Sequence, residues 1–121
     1  MMSVADPGAA VPVPAQVAAY HEVLGLDDTI TFLLTFGGTE LYLPRRPSGR
    51  SRLAQVLGIE NATALALAAE HLPRRVPLAK PWIAKVWRAR GLSQAEIARR
   101  LHVSDVTVRR YLSRDGPRAR V

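Results

Sequence analysis

Apolar side chains recur at helical spacing in short blocks along this chain, and most blocks are bounded by a capping residue, a glycine or a proline. Val17, Tyr20, His21 and Leu24 predict a helix from Ala15 to Leu24 that Gly25 closes. Asp27 or Asp28 is placed to cap a second helix carrying Ile30, Phe32, Leu33, Leu34 and Phe36. These apolar side chains cover more than one face of a helical wheel, so burying them calls for partners on two sides. Gly37-Gly38 stops this helix. Thr39 to Pro44 then alternates polar and apolar residues as a half-buried strand does, with Leu41 and Leu43 on one face. A strand needs partners for its backbone groups. The other short candidate is Arg75 to Leu78, where Pro77 removes a donor. A second copy of the chain is therefore the expected partner, with Ile30, Phe32, Leu33, Leu34, Phe36, Leu41 and Leu43 as its interface.

Arg45 to Ser51, rich in Pro, Gly and Arg, reads as an exposed loop, and a short helix runs on from Ser51 to Leu57. There the chain echoes itself. Val23-Leu24-Gly25-Leu26-Asp27-Asp28 aligns with Val56-Leu57-Gly58-Ile59-Glu60-Asn61, and each leads through an apolar helix to a proline-containing, strand-like segment. At this length the echo reads equally as duplication and as coincidence. The second copy has Glu70-His71 where the first has its two glycines. Pro81 then opens a helix bearing Trp82, Ile83, Val86 and Trp87, which Gly91 ends. Its tryptophans are expected to pack beneath the two helices nearer the C-terminus rather than to stack on bases.

The C-terminal pattern is the most specific. Ser93 and Glu96 have capping-box spacing, and Ile97, Ala98 and Leu101 form an inward stripe in which the small Ala98 admits a crossing helix. Ser104 is the expected cap of that second helix, and Val108, Tyr111 and Leu112 are its expected buried side. Asp105, Val106, Thr107, Arg109, Arg110 and Ser113 are left on faces open to a major groove. The turn between the helices needs a residue at positive φ, usually glycine, and His102 stands there. This is the pattern of a helix-turn-helix, with Arg109 and Arg110 as competing readers of guanine edges and Asp105, Val106 and Thr107 near other bases. Gln94, Arg99 and Ser104 are the expected phosphate contacts.

Charge distribution agrees. Residues 1–70 hold four arginines against seven acids, whereas residues 71–121 hold thirteen Lys and Arg against three acids, leaving +7 overall. Lys85, Arg88 and Arg90 before the motif, and Arg114, Arg118 and Arg120 after it, are candidate further backbone contacts. The basic residues do not line one long amphipathic helix, which argues against a lipid surface. With 121 residues and 48% hydrophobic content the chain can bury a core, and the absence of cysteine excludes disulfides and thiolate metal sites. His21, His71 and His102 are too scattered for a local metal motif, so neither metal nor cofactor is expected. The longest apolar run, Ala62 to Ala69 with Thr63 inside it, is too short to span a bilayer, and no secretory pattern opens the chain. A cytoplasmic protein of a bacterial host is expected, on the nucleoid when bound.

The order of a helix, Gly-Gly-x-x-x-Tyr-x-Pro, a second Leu-Gly helix, a scaffold helix and Gly-Leu-Ser-x-x-x-Ile-Ala-Arg-Arg-Leu-x-Val-Ser-x-x-Thr-Val-Arg resembles the Mor transcription activator family of temperate phages. The resemblance covers roughly residues 22–113. Its helix-turn-helix is shared by resolvases, sigma factors and many regulators, and its pairing with Gly37-Gly38 and Tyr42-x-Pro44 is what makes it specific. Departures are His102 in the turn, the missing second glycine pair, and Pro81-Trp82 where relatives tend to be polar and basic. The resemblance implies a homodimer interlocked through its N-terminal helices and strands, presenting two reading heads to double-stranded DNA beside a promoter. It also implies positioning or minor-groove roles for Gly37, Gly38, Thr39 and Tyr42.

The expected architecture is thus mainly α. A tail (1–14) precedes a helical dimerisation domain with a short β-strand or ribbon (15–79), a tri-helical helix-turn-helix domain (80–113) and a basic tail (114–121). The expected function is a dimeric transcription activator of phage or prophage genes, with RNA polymerase as a further partner. A repressor acting through the same contacts is the alternative. A non-DNA-binding adaptor such as an antitoxin is a third reading. A recombinase-like enzyme is the least favoured, because the first 70 residues offer no nucleophile with nearby acids or bases.

Overall fold

The computed structural model describes residues 6–41, 43 and 48–113. Seven α-helices run through the described residues: α1 (Ala15–Leu24), α2 (Leu26–Phe36), α3 (Arg52–Leu57), α4 (Ile59–Leu67), α5 (Lys80–Ala89), α6 (Gln94–Leu101) and α7 (Asp105–Ser113). They fall into two compact units. One is Val13–Ala79, and the other combines, of the described residues, 6–12 with 80–113.

In the Val13–Ala79 unit, α1 meets α2, and α3 meets α4, at a single glycine. Gly25 (φ 81°, ψ 174°) donates its N–H to His21 O, 2.9 Å, closing α1, and its carbonyl accepts from Thr29 N, 3.0 Å, opening α2. Gly58 (φ 90°, ψ 154°) does the same between α3 and α4, through Ala54 O at 2.7 Å and Ala62 N at 3.0 Å. Asp27 and Asp28 therefore lie in the first turn of α2 rather than at its cap, where they complement the helix dipole. Both glycines occupy a backbone region that is essentially closed to other residues. A Cβ at either would meet no atom within 4 Å, so the cost of replacement is backbone strain alone. Gly25→Ala and Gly58→Ala are each expected to lower unfolding free energy by about 1–3 kcal/mol, read from urea midpoints at unchanged m.

The core of this unit gathers Val17, Tyr20 and Leu24 of α1 with Ile30, Phe32, Leu33 and Phe36 of α2. Leu53 and Leu57 of α3 and Leu65 of α4 are buried as well. Tyr20 and Phe32 rings lie 5.2 Å apart and Phe32 and Phe36 rings 5.4 Å apart, both tilted. Thr29, also fully buried, donates its hydroxyl to Tyr20 O at 3.3 Å.

Much of the cover expected for α2 from a second copy is found within the chain. Helices α1 and α3 of the same chain pack on it, and Ile30, Phe32, Leu33 and Phe36 are buried without any partner molecule. Leu34 remains 45% exposed, and Leu41 and Leu43 are half-buried. The strand-like segment is also served from within. Gly38 N donates to Val76 O (2.7 Å), Val76 N to Thr39 O (2.8 Å) and Leu41 N to Arg74 O (3.3 Å), around an antiparallel bridge of Glu40 with Arg75. Pro77 falls just beyond this pairing, so its missing N–H costs the bridge nothing. No strand longer than this bridge occurs among the described residues. Tyr42 and Pro44 lie outside them.

In the other unit, α5 buries Trp82, Ile83, Ala84, Val86 and Trp87, and α6 and α7 pack on it and on each other. Composition predicts an extended tail over residues 1–14, but Pro7–Ala10 forms a 3-10 turn packed on α5. Asp6 caps that turn through Gly8 N at 2.9 Å and holds Arg90 at 2.6 Å. Gly8 is buried so closely that a Cβ there would stand 2.9 Å from both Arg90 Nε and Val86 Cγ1. The Arg90 guanidinium holds the Asp6 carboxyl below its ordinary range, and the Gly8 N–H adds to this.

Candidate nucleic-acid interface

Local chemistry sets each joint of the α5–α6–α7 arrangement. Gly91, at φ 104°, lets the chain leave α5, with Leu92 N donating back to Trp87 O at 3.0 Å. Ser93 caps α6 by accepting from Glu96 N at 3.1 Å. Ile97, Ala98 and Leu101 are buried as their spacing requires. His102 takes the left-handed conformation (φ 59°, ψ 46°) that the turn demands, and Val103 N reaches Ala98 O at 3.1 Å. Ser104 caps α7, accepting from Thr107 N at 3.1 Å while its hydroxyl donates to Thr107 Oγ1 at 3.0 Å.

The expected site residues divide by what already engages them. Asp105, Val106, Arg109 and Arg110 are exposed on α7, and Val106 is 61% exposed. Thr107 is half-buried and Gln94, at the start of α6, likewise. Ser104 Oγ is committed to the cap, so its expected phosphate role would add to a structural one. Arg114, Arg118 and Arg120 lie outside the described residues. Of the expected buried side of α7, Val108 is fully buried, while Tyr111 and Leu112 are half-buried.

Around a helix, with about 100° per residue, Val106 and Arg110 each stand roughly 160° from Val108 and about 40° from one another. They share the outermost stripe, one turn apart, and Arg109 flanks it. A β-branched residue exposed on a helix contributes neither packing nor helix propensity, so the fold gives Val106 no structural reason to be apolar.

Two arginines expected at phosphates, Arg99 and Arg90, are already engaged, as is Arg100 beside them. Arg99 pairs with Glu96 Oε1, and Arg100 Nε donates to Glu96 Oε2 at 2.8 Å. The Arg100 guanidinium also lies over the Trp87 ring, 5.7 Å from its centroid, linking α6 to α5. These pairs hold the Glu96 carboxyl below its usual range, Arg100 contributing most and Arg99 next. The Glu96 side chain thus clamps two cations, a role its spacing to residues 99 and 100 signals on a helix. Arg90, expected at phosphates, is bound to Asp6; their separation of most of the chain hides that pair from any sequence pattern.

Gly37, Gly38 and Thr39 belong to the other unit, and their polar groups are used inside it. Arg75 Nη1 donates to Gly38 O at 2.8 Å, and Thr39 Oγ1 donates to Phe36 O at 2.7 Å. A Cβ on Gly37 would stand 2.4 Å from Leu33 O, which accounts for this glycine by close packing. Tyr42, grouped with them, is outside the described residues. Among the described residues no cluster of His, Cys, Asp or Glu has the grouping of a metal site, and no helix is long and apolar enough to cross a membrane.

Residues 88–114 match the family model described as Sigma-70, region 4, a helix-turn-helix of the DNA-binding, transcription-regulating kind. The match begins in the last turn of α5 and takes in all of α6 and α7. No curated protein and no solved structure matches the chain.

Proposed function

We propose that this protein is a sequence-specific, double-stranded DNA-binding transcription regulator that lays α7 in the major groove. The observation that carries this reading is the division of α7: Val108 is fully buried on one side, while Val106, Arg109 and Arg110 are exposed on the other. Arg110 forks onto guanine O6 and N7, and Val106 packs on the 5-methyl of a thymine within a base pair or two. Asp105, at the N-terminal end of α7, and Arg109 border that pair, and Gln94 and Ser104 face phosphates. Arg99 joins them on exchanging Glu96 for a phosphate oxygen. The resemblance to the Mor activators adds the biological setting, namely activation of phage or prophage genes from a site beside a promoter, in contact with RNA polymerase. A reporter carrying that promoter should rise on adding the protein.

The base-reading assignment is tested with a duplex enriched from a random pool, in which each thymine is replaced in turn by deoxyuridine. One replacement is expected to weaken binding about four-fold, the weight of one buried methyl group. Val106→Ala should lose the same factor on the thymine duplex and become indifferent to the uracil. Binding insensitive to every such replacement, or a sensitivity that Val106→Ala retains, would remove Val106 from the reading surface. Failure to enrich any duplex would remove the DNA reading altogether.

A further inference from the structure

The echo between Val23–Asp28 and Val56–Asn61 extends to three dimensions. Each copy is a pair of helices hinged at a glycine, and equivalent positions are buried in both, Leu24 with Leu57, Thr29 with Ala62 and Phe32 with Leu65. The copies also cross. Helix α1 packs on α4, and α3, the equivalent of α1, packs on α2, the equivalent of α4. Exchanging the two copies leaves this scheme unchanged, which is the property of an isologous, two-fold interface.

Under such symmetry a residue touches its own equivalent only where the axis passes, and two such contacts occur. Asp28 and Asn61 occupy the same place in the repeat, and Asn61 Nδ2 donates to Asp28 Oδ2 at 2.9 Å. Continuing the alignment without a gap equates Leu41 with Arg74. The antiparallel register set by Glu40 and Arg75 puts these two opposite each other, with Leu41 N donating to Arg74 O at 3.3 Å. The first contact also shows why the copies differ. Two identical subunits with Asp28 on their axis would oppose carboxylate to carboxylate, and Asn61 replaces one of them with a donor.

We infer that Val13–Ala79 is a two-fold pair closed within one chain, and that the protein therefore reads a non-palindromic site as a single-headed monomer. The second half rests on the DNA reading above. A two-fold pair of subunits carries two reading helices and selects inverted half-sites about one helical turn apart. A pair closed by the chain's own repeat carries one α7 and selects one half-site. On α2, the apolar cover that the sequence assigns to a second subunit comes from α3 of the repeat.

Sedimentation equilibrium of the full-length protein at tens of micromolar should give the mass of one chain. Native mass spectrometry on a duplex enriched from a random pool should show one chain per duplex, and the enriched motif should lack an inverted repeat. Asn61→Asp should lower the melting temperature, and adding Asp28→Asn should restore it, since the exchange rebuilds the same pair across the axis. A dimer in the free protein would overturn the closed pair. Its most direct form would join the equivalent Leu34 and Leu67, exposed to 45% and 76%, and Leu34→Glu/Leu67→Glu would then break it. Two chains on inverted half-sites would overturn the single-headed site while sparing the DNA reading. A pool that yields no duplex would overturn that reading and the site with it, leaving sedimentation to decide the closed pair alone.

Discussion

Replacing Arg109 and Arg110 together by alanine is expected to reduce affinity for an enriched duplex toward its non-specific level, a loss on the order of a thousand-fold. The fold should be unaffected, because both side chains are exposed and neither contributes to the buried side of α7. The single variants separate their roles. Arg110→Ala should cost about 1–3 kcal/mol and relax the preference at one base pair. Arg109→Ala, if it serves a phosphate, should weaken all sequences alike and reduce the salt slope by about one. Fluorescence anisotropy against salt concentration, on the enriched duplex and on a scrambled one, measures both quantities. A double variant that bound the enriched duplex as the parent does would show that α7 does not read it.

Phe32→Ala is expected to remove about 3–5 kcal/mol of stability. Phe32 is 1% exposed and its ring meets those of Tyr20 and Phe36, so truncation leaves a cavity at the centre of the Val13–Ala79 unit. Its repeat equivalent, Leu65, is fully buried too, and Leu65→Ala should cost about 2–5 kcal/mol for the same reason. Chemical denaturation followed by tyrosine and far-ultraviolet signals checks both. A loss below about 1 kcal/mol at Phe32 would contradict the packing described.

What the sequence revealed depended on how far apart the interacting groups lie. The caps at Ser93 and Ser104, the inward stripe Ile97-Ala98-Leu101 and the left-handed turn at His102 all arise from neighbours within one or two helical turns, and each is found in the fold. Position alone could not tell that Gly25, rather than Asp27 or Asp28, starts α2, because one glycine serves as the end of one helix and the start of the next. The cover over α2 was hidden for a different reason. Apolar periodicity reports that a face is buried but not which segment buries it. The segments that do so are α1 and α3, and α3 lies about twenty residues away, marked only by its Leu-Gly junction. Asp6 with Arg90 and Asn61 with Asp28 join distant parts of the chain, and no local pattern marks either pair. Glu96 marks an intermediate case. Its backbone N–H meets Ser93 as the capping pattern requires, while its carboxylate is bound to Arg99 and Arg100, which the same helical spacing also permits.

The unit that contains α7 is assembled from two stretches of chain, with Val13–Ala79 inserted between them. A chimera joined at residue 80, carrying only the downstream stretch onto another protein, would leave behind the turn that Gly8 seats against Val86 and the carboxylate that holds Arg90. Transplanting base preference between such proteins therefore requires two crossovers, one at each end of the insert, or the exchange of α7 residues alone.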